Sequence, residues 1–112
     1  MARISKRTYS RYTQEAISLL GRLVRAGRVS RKLTTQELAE RAGISRDMLY
    51  RIEKGDPRCE IGATFEVAAI VGVSLFEPEL SRLSERNQAM DEKLTLLPKS
   101  VRRRKLEVKD DF

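Results

Sequence analysis

The side chains that most often carry catalysis are scarce in this chain. Its 112 residues include no histidine and a single cysteine, Cys59. That removes imidazole general bases, histidine metal ligands and any thiolate cluster for zinc. No serine sits in a nucleophile motif, and no glycine-rich loop is placed to cradle phosphate. The expectation is a protein without catalytic residue, metal or cofactor, not an enzyme. What remains is the chemistry of guanidinium and ammonium groups. Lys and Arg number 23 against 16 Asp and Glu, for a net charge of +7. Such a surplus favours a polyanionic partner, because bound cations release counterions from phosphates. One short stretch gathers useful donors: Arg46, Arg51 and Lys54 share one helical segment with Asp47 and Tyr50. An arginine can bond guanine O6 and N7 with parallel donors, and an aspartate can accept from cytosine N4.

These residues need a scaffold, and the pattern around them is helical. Over 13–30 the apolar residues Ile17, Leu20 and Val24, with Gly27, recur three and four apart, Leu23 lies beside them, and Arg22, Arg25 and Arg28 fall elsewhere. This spacing predicts an amphipathic helix. Thr34 and Glu37 then form a capping box for a second helix over 35–42. Gly43 supplies the left-handed residue that stops it. Ser45 is an N-cap for a third helix through Lys54, closed by Gly55-Asp56-Pro57. Two short helices joined by so tight a turn predict a helix-turn-helix. Leu38, Ala39, Ala42, Ile44, Leu49 and Ile52 are its expected inward face.

A fourth helix is expected over 61–71, stopped by Gly72. Phe65, Ala68, Val71, Val73, Leu75 and Phe76 should complete the core. Pro78 fits the first turn of a fifth helix over 79–97, and Pro98 ends it. In that helix Leu80, Leu83, Asn87, Met90, Leu94 and Leu97 alternate three and four apart. The stripe reads as a heptad seam with a polar residue at one a-type position, and hence as a dimer interface. The alternative is that it covers the protein's own core.

The expected fold class is all-α: a five-helix helix-turn-helix domain with a basic N-terminal arm and a flexible C-terminal tail. The arm is 1–12, the DNA-binding domain 13–77, the C-terminal helix 78–97 and the tail 98–112. The arm, with Arg3, Lys6, Arg7 and Arg11, either lies on DNA or is a solvated tail. The tail carries Arg102, Arg103 and Arg104, and its Leu106 and Val108 alternate with charges. It is expected to be disordered alone and could bind a partner. No apolar run reaches the ~20 residues of a membrane span, and the N-terminus lacks a signal-peptide core. A cytoplasmic protein, nucleoid-associated when bound to DNA, is expected.

Leu20-Gly21, Val24-Arg25, Leu33-Thr34, Glu37-Leu38-Ala39, Ala42-Gly43-Ile44-Ser45, Leu49 and Arg51-Ile52-Glu53-Lys54-Gly55 resemble the Xre-type helix-turn-helix repressors. Gly55-Asp56-Pro57 followed by Gly62-Ala63-Thr64-Phe65-Glu66-Val67-Ala68 and Val71-Gly72-Val73-Ser74-Leu75-Phe76, with Leu97-Pro98-Lys99-Ser100-Val101-Arg102-Arg103-Arg104 leading to the acidic-aromatic end Asp110-Asp111-Phe112, resemble HipB-type antitoxins more narrowly. The resemblance implies a homodimer on an inverted-repeat operator that represses its own operon and binds a HipA-like Ser/Thr kinase toxin. It puts base reading on Arg46, Asp47 and Arg51. Thr35, Gln36 and Lys54 are candidates for DNA-backbone contact, and Ser45 and Tyr50 for the backbone or a thymine methyl. It also pairs Arg28 with Glu53 as a structural ion pair behind the recognition helix. The family often has Gln at the position of Thr35; either Gln36 replaces that contact or Thr35 makes a shorter one. Two other readings fit the residues: a stand-alone repressor or phage regulator without a toxin, and a protein-interaction module that never touches DNA. The basic face of Arg46, Arg51 and Lys54 argues against the last.

Overall fold

The computed structural model describes residues 8–101. Five helices form among them: α1 Arg11–Ser30, α2 Thr35–Ala42, α3 Arg46–Glu53, α4 Ile61–Ile70 and α5 Leu80–Leu96. The chain divides into two compact units between Leu75 and Phe76.

The first unit holds α1 to α4. Helix α1 begins at Arg11, two residues before the expected Thr13, because Ser10 caps it by accepting from the Thr13 amide at 3.2 Å. Tyr12 is therefore helical, not part of an arm. The capping box of α2 is complete: the Glu37 amide donates to Thr34 Oγ1 at 3.0 Å, and the Thr34 amide donates to Glu37 Oε1 at 2.9 Å. Gly43 ends α2 at φ +71°. That left-handed value is strained for any residue with a Cβ. Two residues later Ser45 caps α3 by accepting from the Met48 amide at 3.0 Å. The tight turn between α2 and α3 is thus held by local backbone chemistry at both ends.

The buried core is Val24, Leu38, Ala39, Leu49, Ile52, Ala63, Val67, Ala68 and Val71. Leu20, Leu33, Ala42, Ile44, Met48, Cys59, Val73 and Leu75 pack partly buried against it. The expectation for α2 and α3 is met. The expectation for α4 and the residues after it is corrected at two aromatics: Phe65 in α4 and Phe76 beyond it are exposed, while Ala63 and Val67 are inside. Leu23 also faces out. Helix α1 crosses α3 at very close range. A Cβ built on Gly21 would stand 2.5 Å from the Ile52 carbonyl oxygen and 2.7 Å from that of Glu53. Only glycine permits this approach. At the far end of α1, Arg31 Nη1 donates to the Val71 carbonyl and closes the C-terminal end of α4.

The second unit contains α5. Pro78 lies just before its N-cap, Glu79, and not in its first turn. The helix stops at Leu96, and Leu97 is extended at φ −91°, ψ 157°, as the residue before Pro98 must be. None of its residues is buried. No helix among the described residues is long and apolar enough to cross a membrane. Arg3, Lys6 and Arg7 of the expected arm, and the expected tail from Arg102 onward, lie outside the described residues.

Candidate nucleic-acid interface

The exposed face of α3, together with the start of α2, gathers the expected site. Thr35, Arg46, Asp47 and Tyr50 line one open depression of about 430 Å³. Ser45 and Lys54 mark the two ends of α3, as its N-cap and C-cap. Lys54 Nζ lies 5.0 Å from the centre of the Tyr50 ring, in cation–π range. Both side chains belong to exposed residues.

Two strings of polar contacts order the longer side chains. The first crosses between helices: Arg46 Nη1 reaches Gln36 Oε1 at 3.4 Å, and Gln36 Nε2 donates to Glu40 Oε2 at 2.8 Å. The second runs along α3 and past its end. Arg51 Nε donates to Asp47 Oδ2 at 3.3 Å, and Arg51 Nη1 stands 4.0 Å from Asp56 Oδ2. Asp56 accepts from the Arg58 amide at 2.9 Å and from Arg58 Nε at 3.3 Å. Those two Arg58 hydrogen bonds, more than its charge or that of Arg51, hold the Asp56 carboxyl below the usual carboxylate range. The sequence pattern does not single out Glu40 or Arg58, and it reads Asp56 only as part of the turn after α3. The Asp-Pro-Arg spacing of a side chain capping its own turn was the available signal for the last two.

Behind the exposed face, Arg28 and Glu53 pair as expected. Arg28 Nε donates to Glu53 Oε2 at 2.8 Å and Nη2 to Oε1 at 3.1 Å, with side chains only 12% and 9% exposed. Arg28 Nη1 also donates to the Leu33 carbonyl at 3.1 Å. Hydrogen bonding to Glu53 raises the guanidinium pKa above its ordinary value, against the opposing effect of burial. The pair ties α1, the α1–α2 loop and the C-terminal end of α3 together.

Cys59 is half-buried, packed against the core. Burial first, then the charge of Asp56, pushes its thiol pKa up. It is placed as a small apolar side chain and not as a nucleophile.

The geometry is that of two short helices at a tight turn, the second presenting a polar, cationic outer face. The helix-turn-helix domain family matches residues 19–83, more than half of the chain. The protein belongs to that family, whose fold is a DNA-binding one. No curated protein and no solved structure matches the chain.

Proposed function

We propose that this protein is a sequence-specific transcriptional repressor that binds an inverted-repeat operator as a homodimer. The observation that carries this reading is that Thr35, Arg46, Asp47 and Tyr50 line one open depression on a helix-turn-helix, the last three of them exposed. A recognition helix enters the major groove with its N-terminal residues toward base edges. Arg46 and Arg51 then read guanine, and Asp47 accepts from cytosine while holding Arg51 in place. Thr35, Gln36, Ser45, Tyr50 and Lys54 contact the phosphate backbone, which sets register without reading sequence. Leu80, Leu83, Asn87, Met90 and Leu94 on α5 form the dimer interface. Two half-sites about one helical turn apart, or a multiple of that, are the corresponding operator. Selecting bound sites from a random duplex pool tests this. An inverted repeat supports it, and no enriched sequence refutes it.

A narrower reading rests on the resemblance of Gly55-Asp56-Pro57, the segment from Gly62 to Phe76, and the chain beyond Leu97 to HipB-type antitoxins. In it the repressor is autoregulatory and its partner is a HipA-like Ser/Thr kinase. Expression with the neighbouring genes, followed by purification of this chain, decides the point. A kinase that stays bound supports the antitoxin, and a protein that purifies alone yet binds its own promoter is a stand-alone repressor.

A further inference from the structure

Helix α5 carries its apolar stripe on the outside. Leu80, Met90 and Leu94 are 77%, 51% and 58% exposed, and Leu83 is half-buried. At 17 residues the helix is about 25 Å long. On a heptad reading Leu80, Asn87 and Leu94 take a-type positions, and Leu83 and Met90 take d-type positions. Arg86 and Lys93 then flank one side of the seam and Asp91 the other. Asp91 makes no ion pair among the described residues, and Arg86 reaches only Glu77, at 3.5 Å.

The pattern distinguishes two ways in which a second copy could cover the stripe. In a parallel, in-register pair, Asn87 meets Asn87 of the partner subunit, and the two amides can hydrogen-bond to each other. Arg86 then faces Asp91 of the partner subunit, and by symmetry this attraction occurs twice. The antiparallel arrangement with the greatest overlap places Asn87 against Met90 of the partner subunit, where the amide finds only a weak thioether acceptor. It also brings Arg86 against Lys93 of the partner subunit, again twice, and like charges repel. Charge and polarity both favour one orientation.

We propose that α5 of two copies of this chain pair in parallel and in register, with Asn87 and the Arg86–Asp91 contacts selecting that arrangement over the antiparallel one. This rests on the α5 dimer reading above and adds its orientation. An asparagine in the apolar stripe and an aspartate with no ion pair beside it thereby become the means of choosing a partner's direction.

Sedimentation and cross-linking of the full chain without DNA test it. In the charge series, Arg86→Asp alone should raise the dimer dissociation constant roughly tenfold, since two weak attractions become repulsions. Asp91→Arg alone should do the same, and the double exchange should restore wild-type dimerisation. For orientation, Leu94→Cys in a Cys59→Ala chain should give a disulfide-linked dimer on mild oxidation. An antiparallel pair would not; it would cross-link only when Leu83→Cys and Leu94→Cys chains are mixed. That result, a monomeric wild-type chain, or a dimer indifferent to the charge series would each overturn the proposal. Because none of these readouts involves DNA, failure here leaves the assignment of α3 to be judged separately by operator selection.

Discussion

Arg28 and Glu53 meet through two parallel hydrogen bonds, at 2.8 and 3.1 Å, in a place where both side chains have lost most of their water. The net worth of such a pair is small, since desolvation offsets attraction, but a partner left alone is costly. Arg28→Ala or Glu53→Ala should each lower unfolding stability by about 3–5 kcal/mol. Replacing both by apolar residues of similar volume should cost much less than the sum of the single changes. Urea denaturation of the four proteins closes that cycle, and additive losses would mean the pair does not act as a unit.

Gly21 and Gly43 are required for different reasons, and alanine separates them. At Gly21 a Cβ would collide with the backbone carbonyls of Ile52 and Glu53. Gly21→Ala should push α1 from α3 and destabilise by about 1–3 kcal/mol, as overpacking does. It should also weaken DNA binding by displacing the recognition helix. At Gly43 nothing lies within 4 Å, and the objection is only its φ of +71°. Gly43→Ala should cost about 1 kcal/mol, the left-handed penalty less the gain from a stiffer unfolded chain. Thermal denaturation should rank Gly21→Ala below Gly43→Ala.

The contrast shows what sequence could convey. The α2–α3 turn was legible because Thr34, Glu37, Gly43 and Ser45 act on backbone groups within four residues of themselves. The cap at Ser10 was not, because Ser10 is followed three residues later by Thr13 and so lacks the acidic half of a capping box. Helix α4 is apolar on nearly every side. Periodicity cannot choose its buried face, which is why Phe65 reads as core in the sequence while Val67 is the residue inside. The Arg31 contact with the Val71 carbonyl spans 40 residues, and no local pattern announces it. In the candidate site, residue types and helix position were readable, but the side-chain links from Gln36 to Arg46 and from Asp47 through Arg51 to Asp56 needed coordinates.

Asp56 gives a pH signature with a definite sign. Its folded pKa is depressed, chiefly by the hydrogen bonds from Arg58. Its contribution to stability is therefore present above the unfolded aspartate value of about 3.9 and is lost as pH falls through the lower folded value. Wild type and Asp56→Asn should differ in stability at pH 6 and converge as the solution is acidified below about pH 4. A difference that persists unchanged to pH 2 would show that the carboxylate is not what stabilises the turn after α3.

Cys59 should be a poor nucleophile in the folded protein. Its thiol is half-buried and its pKa is raised. At pH 8 a disulfide reagent should modify it slowly, and addition of denaturant should accelerate the reaction sharply. Equal rates in both conditions would place the thiol outside the packed core.

The central claim is that the outer face of α3 reads DNA, and base preference tests it most directly. Operator sequences selected by the wild-type chain should be compared with those selected by Arg46→Ala and by Arg51→Ala. Each variant is expected to lose about 1–3 kcal/mol on the wild-type site and to relax preference at one position in each half-site, a different one for each arginine. Recovery of the same operator, with the same affinity, by both variants would contradict the assignment of α3 as the recognition helix.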